Sequence, residues 1–519
     1  MRKIVQHILF IVLALVCACS QDLGNYDYIN LDEPAISGLA DQEVFTLSRL
    51  KITPQIDGGD FSDEEYTFEW MVLDQNSSME PVIIGTEREL DYEVTLAPGA
   101  YSLYFTITET KTGLYWRAEA NLTVSSSMSE GWMVLCSDGG RARLDIVSAT
   151  TGETMTDVLK GNGMPQMNGP RRIQWLSDKT DAASPYYLLT DEGATRLGRD
   201  AFEWKPEYDF DYEVAVQDKL IPHSITTGGF GKVIVSGTDA HYCEVMGIDG
   251  LYGSAVNKGF SVAPFIGANV LATQVYAAVY LLYDTDNSRF MAYCPLLATN
   301  DLGNLNPVAT MDEMGQIAEG MAPGAGVIGS AFKDWPEGME CIYMENTRYD
   351  PGNAKMGLTY ALMRDGARCH LYGIQLGDIL RYADCTYVLG KGYYGDLSGC
   401  RNILDPSSLY AFSSLKSCMY YALNGSVYKV DLSGDSIKEE LQFSLPGETI
   451  TCMKFNLYQK SENMQKSYDL VVGSVNRNGE GTLRIYEGRE SGGDFRNVEP
   501  QVYAGFAEIV DVDYKERVY

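Results

Sequence analysis

Histidine is scarce in this chain: there are four in 519 residues. His7 lies in the first apolar stretch, and His223, His241 and His370 are far apart, with no HxxxH or HExxH pairing. Paired imidazole ligands and a histidine base beside a nucleophile are therefore not in the pattern. No GxSxG elbow, P-loop or dinucleotide fingerprint stands in the strand-and-helix context its chemistry needs. Basic charge is short as well, with 40 Lys and Arg against 71 Asp and Glu. A surface this acidic, without a basic stripe, repels phosphate backbones and excludes nucleic acid as a partner. The eleven cysteines include no CxxC pair and none of the close spacing of zinc sites, so neither a metal nor a disulfide framework is expected. Cys136, Cys243, Cys294, Cys341, Cys418 and Cys452 sit in apolar strand-like runs, where a thiol acts as a small hydrophobe. No catalytic, cofactor-binding or metal-ligating residue is assigned, and no cofactor is expected.

Long hydrophobic runs are also missing. The longest, Ile8 to Ala18, falls short of the roughly 20 residues a membrane helix needs. With Arg2 and Lys3 before it, it has the form of a signal-peptide core. It ends in Val16-Cys17-Ala18-Cys19, which resembles the bacterial lipobox. That resemblance implies a signal peptide over 1–18, cleavage before Cys19, and lipidation of Cys19. Two or three acyl chains suffice for stable anchoring at about 0.8 kcal/mol per buried methylene. Residues 19–23 form the lipidated tether, and Ser20-Gln21-Asp22 resembles a surface-export signal. The expected address is the outer membrane, lipid-anchored and exposed at the cell surface, with a periplasm-facing orientation as the alternative. Loss of Arg2 and Lys3 leaves 38 basic side chains against 71 acidic ones, which keeps such a protein soluble beside a membrane.

The remainder alternates short apolar or aromatic runs with Gly, Asp and Asn turns, and no long helix is evident. This is an all-β signature. Residues 24–127 form the first region. It contains Leu50 to Pro54, Tyr66 to Val72, Leu90 to Val94, Pro98 to Ile107 and Ala120 to Val124. Alternation puts Tyr66, Phe68, Trp70 and Val72 on one strand face, as a half-buried sandwich strand requires. Trp70 reads as core. Strand number and turn spacing predict one immunoglobulin-like β-sandwich. Its Gly24-Asn25-Tyr26-Asp27-Tyr28 start, its Tyr66-x-Phe68-x-Trp70 strand and its Pro98-Gly99-x-Tyr101-x-Leu103 hairpin resemble the PKD-like family of Bacteroidetes lipoproteins. The resemblance covers about the first quarter of the chain. It implies a PKD-like sandwich ahead of a larger β-rich domain, in proteins that accompany SusC/SusD-type nutrient importers.

Beyond the polar hinge Ser125 to Glu130, residues 131–519 carry a weak strand-and-hairpin repeat. Its apolar runs begin at Trp132, Tyr186, Lys232, Val279, Leu358, Cys418 and Asp469. Hairpin signals follow most of them, among them Asp138-Gly139-Gly140, Asn424-Gly425 and Asn478-Gly479. The spacing, roughly 55 residues, is longer than the usual propeller repeat. Strand, turn, strand units of this kind build a β-propeller. The count gives seven blades, with six or eight as alternatives. The last run, Glu508 to Val512, is placed to close the first blade and remove an open edge.

Asp284-Thr285-Asp286-Asn287-Ser288 has alternate oxygen ligands but lacks the glycine and glutamate of an EF-hand, so it reads as a hairpin turn. The repeated Ser-x-Asp-x-Gly-x-x-Trp box of sialidase-type propellers is missing. Exposed aromatics beside carboxylates suit sugar stacking or peptide gripping. On that ground Trp204, Trp335, Tyr393 and Tyr394 are the candidate ligand-binding residues, with inter-blade packing as the competing reading. The sequence thus predicts a non-enzymatic accessory lipoprotein of an outer-membrane nutrient-acquisition system. Its membrane contact is the N-terminal lipid, and its partner is a glycan, a peptide or an importer subunit. The alternatives are a carboxylate-dependent glycan-cleaving propeller enzyme and a structural subunit of a SusC/SusD-type complex without ligand contact.

Overall fold

The computed structural model describes residues 34–517 apart from 47, 60, 76–80, 177–184, 229–230, 245–249, 271–278, 294–308, 311–326, 352–355, 382–385, 435–436 and 459. Cys19, the signal segment and Cys294 lie outside the described residues. The chain divides into two compact units, Met1–Ser125 and Ser126–Tyr519.

The first unit is a β-sandwich. Its larger sheet has five strands in the order Gln42–Phe45, Tyr115–Ser125, Gly99–Glu109, Tyr66–Asp74 and Pro81–Gly85. Arg49–Ile52 pairs with Leu90–Glu93, and Ala35–Ser37 with Gln55–Asp57. Tyr66, Phe68, Trp70 and Val72 are all buried while Thr67 is exposed, so the alternation has its predicted result. Trp70 is fully buried, 4.4 Å from Phe105 ring to ring, and its indole N–H donates to the Glu87 carbonyl at 3.0 Å. The Pro-Gly-x-Tyr signal also has a physical cause. The Tyr101 hydroxyl donates to the Ala97 carbonyl at 2.8 Å and so pins the turn entering its own strand.

The second unit is a propeller of seven sheets among the described residues. Each apolar run found in the sequence is the second strand of a blade. Tyr186–Thr190 and Tyr280–Asp284, for example, are buried at every position. A strand with a neighbour on each edge and a blade against each face has no solvent side, so it reads as a continuous apolar run and not as an alternation. The innermost strands are Glu508–Lys515 in blade 1, Pro170–Trp175 in blade 2 and Pro222–Gly228 in blade 3. They continue with Glu340–Thr347, Leu409–Phe412 and Glu448–Lys454 in blades 5, 6 and 7. In blade 4 the place is taken by residues 262–267, bridged to Tyr280–Asp284 through Val262↔Asp284 and Gly267↔Leu281.

One apolar cluster fills each gap between neighbouring blades. Leu135, Leu144, Ile173 and Leu188 join blades 1 and 2, and Leu358, Leu371, Phe412 and Met419 join blades 5 and 6. The seventh cluster closes the ring, packing Val471, Leu483 and Ile485 of blade 7 against Trp132, Val134, Ile509 and Val512 of blade 1. Closure is covalently economical because blade 1 takes strands from both ends of the unit. Glu508–Lys515 pairs antiparallel with Gly131–Asp138, with Trp132↔Tyr514 and Val134↔Val512 in register. The edge that would otherwise invite association is thereby paired.

None of the described cysteines forms a disulfide. Burial pushes the Cys136 and Cys452 thiols up to about 12, so both are inert. The Asp284 segment is a hairpin turn: one carboxylate oxygen of Asp284 accepts the amides of Asp286 and Asn287 at 3.1 and 3.0 Å, and the other bonds Asn287 Nδ2 at 2.8 Å.

Candidate functional site

The inner strand of a propeller blade has one edge paired and one edge open to the axis, so its outward amides need other partners. Here they are met by acidic and amide side chains from neighbouring inner strands. Asp511 Oδ2 accepts the Ile173 amide at 3.1 Å, and Asp513 Oδ2 accepts the Trp175 amide at 2.8 Å. On the far side Glu345 Oε2 accepts the Phe412 amide at 3.2 Å. Asn346 accepts the Ala268 amide and donates to the Ile266 carbonyl, both at 3.0 Å. The same polar side chains that stitch the blades together line a cavity of about 1130 Å³ along the axis, to which all seven blades contribute.

Charges inside this channel perturb one another strongly. Lys454 Nζ lies 3.3 Å from Asp511. Burial works against its charge, but Asp511 and Asp513 outweigh that and hold its pKa above the ordinary lysine value. Burial raises Asp513, with Lys454 opposing. Glu345 is lifted by burial to about 7 against the pull of the Tyr343 hydroxyl, the Phe412 amide, Lys454 and Arg172. The Tyr343 hydroxyl donates to it at 2.9 Å. At neutral pH the Glu345 carboxyl is thus poised between donor and acceptor.

The channel has two unlike sides. On blades 4, 5 and 6, Phe265, Tyr343 and Tyr410 form an aromatic wall, with ring centroids 5.7 and 5.4 Å apart. On blades 7, 2 and 3, the buried oxygens Asn456 Oδ1, Gln174 Oε1 and Ser224 Oγ have no hydrogen-bond partner among the described residues. A buried polar atom left unpaired costs about 1–3 kcal/mol, so these three oxygens beside one cavity call for polar partners such as water or ligand hydroxyls. The arrangement suits hydrogen bonding plus ring stacking. Among the described residues no group of His, Cys, Asp and Glu could hold a metal ion. The His241 Nδ1–H donates to the Gly253 carbonyl at 2.8 Å, and His370 Nδ1 lies 3.2 Å from the Tyr394 hydroxyl. No histidine lines the channel.

The candidate aromatics from the sequence lie elsewhere: none of the four lines the channel. Trp335 is buried between blades 4 and 5, edge-on to Phe332 at 5.1 Å, with the Lys391 ammonium 4.9 Å from its ring. Trp204 is half-buried against the cluster of blades 1 and 2 and donates to Thr195 Oγ1 at 2.9 Å. Both rings pack at blade interfaces, which flat bulky side chains fill. Tyr393 and Tyr394, adjacent on one strand, point to opposite faces. Tyr393 is half-buried, 5.9 Å from Tyr360, while Tyr394 is 41% exposed beside His370 and Tyr372. An aromatic chain through Phe332 and Tyr372 links Trp335 to Tyr394, and Trp204 stands apart. The channel residues were missed. Their signal is polar side chains interrupting the apolar strand that precedes each second strand, as in Arg171-Arg172-Ile173-Gln174-Trp175 and Tyr343-Met344-Glu345-Asn346.

Comparison with known proteins gives one family match and several distant likenesses. Residues 19–170 match the PKD-like family, which spans the sandwich and the outer strands of blade 1. Among curated proteins, none matches the chain in sequence. Solved structures with a similar fold include a quinonprotein alcohol dehydrogenase-like protein from Bacteroides thetaiotaomicron. It is 13% identical with a TM-score of 0.43, over 93% of this chain and 99% of that one. The WD40 domain of SCAP from fission yeast is 8% identical with a TM-score of 0.32, over 65% and 75% of the two chains. Hsv2 from Kluyveromyces lactis is also 8% identical, with a TM-score of 0.31 over 73% and 99%. These are likenesses of fold. The protein is all-β, a PKD-like immunoglobulin-type sandwich followed by a propeller.

Proposed function

We propose that this chain is a cell-surface lipoprotein, held to the outer membrane by acyl groups on Cys19, that binds a glycan in its propeller channel without turning it over. Its setting is a nutrient-acquisition system of the SusC/SusD type, with the sandwich as spacer. The lipobox-like Val16-Cys17-Ala18-Cys19 supports the anchor, and the PKD-like match beginning at residue 19 is consistent with a mature chain starting there. The observation that carries the binding role is the pairing of an aromatic wall with unsatisfied buried oxygens around one channel. Glycans offer both apolar ring faces and many hydroxyl donors; a peptide satisfies the same groups less completely. One observation favours an enzyme instead: a glutamic acid that stays protonated up to about pH 7 is what a general acid requires.

A glycan and peptide array, probed with the mature chain carrying Cys19→Ser and followed by product analysis, separates the readings. Glycan binding without product supports the proposal. Released product favours the carboxylate-dependent enzyme. Silence on the array together with co-purification of an importer leaves the structural subunit.

A further inference from the structure

Every charged side chain lining the middle of the channel has a partner, with one exception. Asp511 is held by Lys454 and the Ile173 amide, Asp513 by the Trp175 amide, and Glu345 by Tyr343 and the Phe412 amide. Nearer the mouth, Arg364 Nε donates to Glu340 at 2.8 Å. Arg172 makes no hydrogen bond or ion pair with any described residue, although it lines the cavity and is exposed within it. Five N–H donors in a planar fork are therefore presented to the channel. Arg172 and Gln174 lie two residues apart on one inner strand and share a face, about 6.6 Å apart along it. Ser224, on the inner strand of blade 3, continues that arc, and Asn456 of blade 7 begins it.

Resting on the reading of the channel as the ligand site, we propose that its ligand is an acidic saccharide whose carboxylate pairs with Arg172 while its hydroxyls bond Gln174, Ser224 and Asn456. The guanidinium fork matches a carboxylate with two parallel hydrogen bonds, which a neutral hydroxyl cannot supply. The three oxygens can each accept from a hydroxyl, and the Phe265–Tyr343–Tyr410 wall takes the ring face. The overall acidity of the chain does not oppose this. Surface charge far from the channel is screened within about 8–10 Å at ordinary salt, and within the channel Asp511 is paired with Lys454 and Glu340 with Arg364.

The test is calorimetric titration with galacturonate, glucuronate and mannuronate trisaccharides, each beside its neutral hexose counterpart. Variants are Arg172→Met, Arg172→Lys and the channel-filling Thr226→Trp, each checked for an unchanged melting profile. The natural sequence should bind at least one uronate about 10- to 100-fold more tightly than its neutral counterpart. Arg172→Met should erase that difference, and Arg172→Lys should restore part of it. Equal affinity for both sugars in the natural sequence, or discrimination that survives in Arg172→Met, overturns the inference. If that happens while Thr226→Trp abolishes binding of all sugars, the channel reading stands alone. Sugar binding undiminished by Thr226→Trp overturns the channel reading too. Arg172-dependent binding of a peptide with a free carboxyl terminus, and of no saccharide, overturns the saccharide class.

Discussion

Replacing Glu213 with alanine removes the anion from a buried knot between blades 2 and 3. Its two oxygens accept from the Tyr187 hydroxyl at 2.9 and 2.8 Å. Lys232 Nζ lies 3.1 Å away and Arg196 Nε 3.0 Å, with the Glu213 and Lys232 side chains only 9% and 8% exposed. The strands that present these groups are paired and packed, so the cations cannot swing out to water when the carboxylate goes. Breaking a buried pair by removing one member costs about 3–5 kcal/mol, because the other charge stays buried. Glu213→Gln keeps an acceptor for Tyr187 and loses only the charge-assisted part, about 1.5–3 kcal/mol. Adding Lys232→Met to Glu213→Gln removes the stranded ammonium and should recover part of the loss, a coupling of at least about 0.5 kcal/mol. Urea unfolding at pH 7, followed by tryptophan fluorescence and circular dichroism, measures all three together with Lys232→Met alone. Arg496→Ala serves as control, since its pair with Asp494 is 51% and 46% exposed and should change stability by under about 1 kcal/mol. If Glu213→Ala shifts the midpoint no more than Arg496→Ala, or the double variant is as unstable as the sum of its parts, the knot does not carry the stability assigned to it.

Lys515 is almost fully buried, and burial holds its pKa down to about 7 although Asp200 and Glu203 pull it up. Between pH 7 and 10 the unfolded chain binds the proton and the native one does not, so this group makes stability rise with pH; a Lys515→Met variant should show a flatter melting temperature over that range in differential scanning. Glu345 has the opposite sign. Its native pKa of about 7 lies above the ordinary glutamate value of 4.5, so the native state holds the extra proton between those values and stability falls as pH rises through them. Glu345→Gln should accordingly gain on the natural sequence from pH 4.5 to pH 7 in the same measurement. Trp335→Ala should cost about 3–5 kcal/mol as a core deletion, whereas Tyr394→Ala, at 41% exposed, should fall within about 0.5 kcal/mol; equal losses in chemical denaturation would contradict the packing assigned to Trp335. Truncation after Ala507 removes the strand that pairs with Gly131–Asp138 and takes Ile509, Val512 and Tyr514 out of the closing cluster. The shortened chain should be found in aggregates by size-exclusion chromatography, and a monomeric, cooperatively melting product would refute the closure argument.

The sequence by itself determined what local patterning can determine. Two-residue alternation put Tyr66, Phe68, Trp70 and Val72 in one core, and uninterrupted apolar runs located the second strand of all seven blades, because full burial on both faces leaves no polar position to break the run. The closing strand was legible from Ile509, Val510 and Val512 and from its place after the seventh blade. What the tertiary structure decided is the channel and its lining. Arg172, Gln174, Ser224, Asn456 and Asp511 come from four different blades and from both ends of the unit, so nothing in their spacing brings them together. The ring that does so is set by seven inter-blade clusters acting at once. Aromatic content alone does not place these rings, for a related reason. Whether Trp335 faces water or a neighbouring blade depends on the blade beside it, and its own segment, Lys333-Asp334-Trp335-Pro336-Glu337, is polar on every side in sequence while packed in space.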